Sequence, residues 1–313
     1  MVHTSVSADE RGQCKIPKIS DTGVDLMLSW FRKPKANMSV QISGSPFSLG
    51  SIIHAQLSID PSATIDVRKG TMQLVCRERF WKAEITTSGG NGTVKHTDSI
   101  YREVQMFLNG DTIAPGTSNY EMDFPIPPSG HPTIQGELAS VTWSIEATLE
   151  IAGTRNLEWQ QDLEVLTISE SGTDENREAG PATSVESAFD ECSLTLTMPS
   201  APFRAGDAIE GVFSFLANRE FGQSSVRVQI ERRERAGDKG KTVVGDRVNL
   251  QEKFQPPAGG TQEWPFRLSV PRSIVPSKSG GATQVAWRVK GIIDRGRKGD
   301  LLVESPIEVF TAP

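Results

Sequence analysis

Few side chains in this sequence are placed to do acid–base or nucleophilic work. The histidines are His3, His54, His96 and His131, and a serine or cysteine nucleophile needs one of them beside it as a base. His3 lies in a polar leading stretch, His96 and His131 in segments read as loops, and His54 on a strand. Glu78, Asp123 and Glu150 have the chemistry of a general acid–base set, but carboxylates alternating along strands read as a solvated face. The run Ser-Gly-Gly-Asn-Gly from Ser88 could cradle a phosphate only if a helix N-terminus followed it. None does, so it reads as a hairpin tip. Cys14, Cys76 and Cys192 are far apart with no CxxC, which predicts neither a disulfide framework nor a zinc site. No metal or cofactor is expected, and no enzyme.

Charge narrows the partners. The net charge is −6, gathered in the first half and in an acidic stretch after it, while the second half is mildly basic. An acidic first half argues against a nucleic-acid platform. Around a turn in the second half, Arg232, Arg233, Arg235, Lys239 and Lys241 form a basic hairpin, a candidate contact for an anionic membrane surface. No run approaches the ~18 apolar residues of a membrane span, and the first twenty residues lack a signal peptide's apolar core. A cytoplasmic location is the expectation.

The elements that would have to position any site are strands. Almost every segment alternates at period two: Met38, Val40 and Ile42; Met72, Leu74 and Cys76; Val226, Val228 and Ile230. Val24 to Phe31, followed by a turn-rich stretch, predicts a hairpin with the first of these. Asn109-Gly110 is a turn signal. The alternation is also written twice. The segment from Tyr120 to Ile151 has Met122, Phe124 and Ile126, a Pro/Ser/Gly-rich excursion, then a strand centred on Trp143. From Gln262 to Arg295 the same grammar recurs with Trp264, Phe266 and Leu268, an excursion, and Trp287. Twenty residues past each tryptophan comes one more apolar strand, at Leu163 and at Ile307. A repeated supersecondary unit implies two related domains. The expected organisation is a tail (1–23), a first β-sandwich (24–168), an acidic linker (169–188) and a second β-sandwich (189–313), all-β and antiparallel.

With its Pro-Phe-x-x-Gly strand (Pro46, Phe47, Gly50; Pro202, Phe203, Gly206), long-tipped hairpin, Phe124-Pro-Ile-Pro-Pro-Ser block and Trp strand in order and then repeated, the chain resembles the arrestin-fold proteins, in particular the α-arrestin and bacterial sporulation-control branch. The resemblance spans residues 24 to 311. It implies two tandem immunoglobulin-like sandwiches and a non-enzymatic scaffold or adaptor that binds a protein or peptide partner. By position it assigns Arg32 and Lys33 to the family's phosphate-sensing basic pair. It assigns the loop from Ala83 to Asp98 to the loop that reaches into partners, with Gly89, Gly90, Asn91, Gly92, Lys95 and His96 as contact residues. The Pro-Pro-x-Tyr motif of ligase-recruiting adaptors is missing. Peripheral binding to an anionic lipid surface is the alternative.

Overall fold

Alternating apolar and polar side chains dictate strands with one dry and one wet face, because successive side chains point to opposite sides of a pleated sheet. The computed structural model describes residues 34–85, 91–167, 180–272 and 275–311. It is all-β, built from several antiparallel sheets packed as sandwiches, with no α-helix among the described residues. The first half contains β1 (Ala36–Ser43), β2 (Phe47–Ser48), β3 (Ile52–Pro61), β4 (Ile65–Ile85), β5 (Asn91–Ile113), β6 (Ser118–Pro125), β7 (Ile134–Gln135), β8 (Ser140–Ile151), β9 (Leu157–Leu163) and β10 (Val165–Leu166). The second contains β11 (Ala182–Ala188), β12 (Cys192–Pro199), β13 (Phe203–Arg204), β14 (Ala208–Ala217), β15 (Ser224–Ala236), β16 (Lys239–Phe254), β17 (Thr261–Ser269), β18 (Thr283–Asp294), β19 (Leu301–Ile307) and β20 (Val309–Phe310).

Pairing repeats along with element order. One sheet runs β1-β3-β6 and its counterpart β12-β14-β17; the other runs β5-β4-β8-β9 and its counterpart β16-β15-β18-β19. The short parallel pairs, β2 with β10 and β13 with β20, match as well. Between the sheets lies the core. On one side β3 buries Ile53, Ala55, Leu57 and Ile59; in the second half β14 buries Ile209, Phe213, Phe215 and Ala217. Aromatic rings cross the layers, Phe107 of β5 meeting Tyr120 of β6 at 5.1 Å and Phe254 of β16 meeting Trp264 of β17 at 5.0 Å. Each central tryptophan is buried and tied by its indole N–H to a backbone carbonyl twelve residues earlier. Trp143 donates to His131 at 2.8 Å and Trp287 to Val275 at 2.9 Å. A buried indole needs such an acceptor, so the bond fixes where each Pro/Ser/Gly-rich excursion folds back.

Four expectations are corrected. Ala182–Ala188, read as the end of a linker, is strand β11, paired along its length with β12. It is an edge strand with little burial, so its backbone pairing leaves no apolar alternation to read. Residues read as a loop from Ala83 to Asp98 are mostly strand: β4 continues to Ile85 and β5 begins at Asn91. Lys239 and Lys241, read as part of a turn, lie on β16. Asn109-Gly110 sits inside β5, where Gly110 takes φ +76° while pairing continues, and the chain leaves the strand only after Ile113. The expected strand from Val24 to Phe31, the tail and residues 168–179 of the acidic stretch lie outside the described residues.

If the two tryptophans are equivalent anchors, Trp143→Phe and Trp287→Phe cost the same. Each leaves a carbonyl without its donor, a loss of about 1–3 kcal/mol. Urea unfolding of the two variants measures both values, and a penalty confined to one would show that the anchors differ.

Candidate functional site

Along β4 the dry phase runs Met72, Leu74, Cys76 and then Glu78, so the alternation carries a carboxylate into the interior. Glu78 meets the loop that precedes β18. Its side chain is 3% exposed and that of Lys278 is 0% exposed, with Nζ 2.8 Å from Oε1. Two carbonyls, those of Gly280 (2.7 Å) and Thr283 (2.9 Å), also accept from the ammonium, so Lys278 has three acceptors. Besides Lys278, the carboxylate accepts from the Ala282 N–H (3.0 Å), the Thr283 N–H (2.9 Å) and the Thr283 hydroxyl. A buried ion pair is tolerated when its remaining donors and acceptors are satisfied, and here they are. Burial alone would raise the Glu78 carboxyl; donors from Lys278, Thr283 and Ala282 together outweigh it and hold it at about 2.

A second carboxylate makes the opposite crossing. Glu234 on β15 is buried and accepts from the N–H groups of Leu138 (2.7 Å) and Ala139 (3.1 Å), just before β8. Arg232, two residues earlier on the same strand, lies 2.6 Å from Oε1 as an ion pair without hydrogen-bond alignment. Burial pushes the Glu234 carboxyl up, but the backbone donors and the Arg232 charge pull it below its ordinary value. Gly136 is required beside it, since a Cβ there would stand 2.4 Å from the carboxylate.

Beyond Arg79, β4 loses β8 as a neighbour and continues as a two-stranded arm with β5. The turn between β15 and β16 closes the open side of the arm. Asp238 donates its N–H to the Trp81 carbonyl (3.0 Å) and accepts from the Ala83 N–H (2.8 Å). Lys239 sits 3.8 Å from the centroid of the Trp81 ring, a cation–π contact, and Lys241 pairs with Glu137. Of the five hairpin cations, then, Arg232, Lys239, Lys241 and Arg235, whose Nε donates to the Gly237 carbonyl at 3.2 Å, contact groups within the molecule, while Arg233 is exposed. On the arm, Lys95 also lies over Trp81 at 5.8 Å; His96 stacks on Phe80 at 5.6 Å with Nε2 2.8 Å from Glu84. Gly92 pairs with Glu84 and Asn91 with Ile85; Gly89, Gly90, Arg32 and Lys33 lie outside the described residues.

The remaining candidates stay apart from this contact. His54 and Asp123 are cross-strand neighbours 2.7 Å apart on an exposed face, with Ser43 opposite His54 on the next strand. Among the described residues no hydrogen bond joins Ser43 to the ring. A groove of about 860 Å³ is lined by residues of both halves, among them Asp162, Glu164, Arg232 and Arg272. Cys76 and Cys192 are buried free thiols that burial pushes up to about 12 and about 11. No group of three or more metal-binding side chains occurs among the described residues, and no helix there is long and apolar enough to cross a membrane.

Glu78, read from the sequence as part of a solvated face, is instead buried, because it continues the dry phase of β4 and finds donors in the other half; Glu234 on β15 is buried in the same way. Lys278 carried no sign in the sequence, lying in an irregular excursion. Compared with known proteins, the chain matches no family model and no curated protein.

Two outcomes follow from this geometry. Gly237 has φ +61°, and a Cβ on it would fall 1.9 Å from the Trp81 carbonyl, so Gly237→Ala displaces the arm. Limited proteolysis reads this as faster cleavage between residues 81 and 95, and an unchanged rate would place the arm elsewhere. Acid acts through Glu78. Its carboxyl is depressed in the folded protein, so its contribution is full above the ordinary 4.5 and is lost as pH falls toward about 2. Stability of the native chain therefore declines through that window, and Glu78→Gln flattens the decline in acid titrations followed by near-UV circular dichroism.

Proposed function

We propose that this chain is a non-enzymatic, cytoplasmic protein-binding scaffold of arrestin-like build, two immunoglobulin-like sandwiches in tandem that present an arm to a protein or peptide partner. The observation that carries this reading is the arm of β4 and β5. Its base is closed by the β15–β16 turn as far as Ala83, and beyond that it turns apolar side chains to solvent, which suits a partner's surface. Ile85 is 81% exposed and Val94 41% exposed, flanked by Lys82, Glu84 and Lys95. Matching pairing in the two halves supports the tandem build, and the two buried, unpaired thiols accord with a reducing compartment. The lipid-surface reading is weakened because four of its five cations contact groups of the same chain.

Affinity capture with crosslinking in native extract, run in parallel with Ile85→Asp and Val94→Asp, tests the proposal. A partner crosslinked to the arm is expected, with capture lost in both variants while circular dichroism is unchanged. Capture that both variants retain in full would remove the arm from the interface. Salt-sensitive pelleting with phosphatidylserine vesicles that needs Arg233 and Arg235 would favour the membrane reading instead.

A further inference from the structure

The halves touch through residues that hold matching places in the repeat. Cys76 lies opposite Trp143 across the sheet and Arg232 opposite Trp287; two residues on, Glu78 lies opposite Val141 and Glu234 opposite Val285. Glu78 and Glu234 are thus one position written twice. Their donors match too. Leu138 and Ala139 stand five and four residues before Trp143, and Ala282 and Thr283 stand five and four before Trp287. Three residues past each glutamate, Trp81 and Gly237 form a parallel bridge with each other. Thr167 and Thr311, each twenty-four residues past its tryptophan, bond reciprocally: the N–H of each donates to the other's hydroxyl oxygen at 3.0 Å. Contacts in which one residue meets another and the second's counterpart meets the first's, with some positions meeting their own counterparts, define an isologous two-fold interface.

The cations break the symmetry. Lys278 bridges to Val285, and the residue bridging to Val141 in the first half is Ile134. Arg232 occupies the place of Cys76. One glutamate is therefore neutralised by a lysine reaching across the interface, the other by an arginine on its own strand. Arg232 lies 5.6 Å from the Trp287 ring; beside Trp143, a cavity of about 200 Å³ lined by Cys76, Tyr101, His131 and Trp143 occupies the corresponding space.

We propose that the contact between the halves is an isologous interface of one self-pairing unit present twice, with Glu78 and Glu234 as reciprocal positioning residues for the loop before the other half's tryptophan strand. The neutralising cation is then exchangeable between the two equivalent arrangements. Neither statement depends on what the arm binds.

Hydrogen exchange at single-amide resolution on the full chain tests this. Glu78→Gln is expected to lower protection at Ala282 and Thr283 on the order of tenfold to a hundredfold and leave Leu138 and Ala139 unchanged; Glu234→Gln does the converse. Lys278→Ile lowers protection at Ala282 and Thr283. Adding Cys76→Arg restores it, because the arginine takes the place over Trp143 that Arg232 holds over Trp287. If that double variant does not fold, Arg232→Cys with Ile134→Lys performs the exchange in the other direction. Loss of protection without reciprocal pattern, failure of the folded double variant to restore it, or failure of both exchanges to fold overturns the proposal.

Discussion

A carboxylate taken out of water must be given back every interaction it loses, and Glu78 sets that condition for the whole molecule. Its oxygens are met by an ammonium, two backbone N–H groups and a hydroxyl, all from the other half of the chain. Each of those donors is placed by something else. Thr283 opens β18, whose register is fixed by β15 and β19, and Lys278 is held by its own bridge to Val285. Removing one partner would leave the other as an uncompensated buried charge, which costs far more than an exposed pair contributes. Buried polar groups of one half are thus met by donors of the other.

The same requirement explains why the spacing around each tryptophan is invariant between the halves. The indole N–H fixes the excursion twelve residues upstream, and the excursion supplies the backbone donors for the opposite glutamate. A change of length between the two would move the donors off the carboxylate.

Strand identity, the repeat and the core positions of Trp143 and Trp287 are legible in the sequence because burial imposes period two, and period two survives in composition. Edge strands escape that signal. Ala182–Ala188 buries little, so only its backbone pairing makes it a strand, and pairing leaves no mark on side-chain type. The arm escapes for a related reason: beyond Arg79 one edge of β4 is capped by a turn from another half of the molecule, a contact 155 residues away in sequence. Glu78 and Glu234 were legible as places in a pattern but not as a site. A carboxylate on a strand reads as solvated until its donors are seen. Lys278 could not be found at all, because irregular backbone has no period to violate.

The arm extends from one half alone, since β15 ends in a tight turn at the place where β4 runs on. A body made of two matched parts would, left to itself, offer any visitor two identical faces and two equal orientations. Lengthening one hairpin and truncating the other removes that degeneracy. The molecule gains a front and a back.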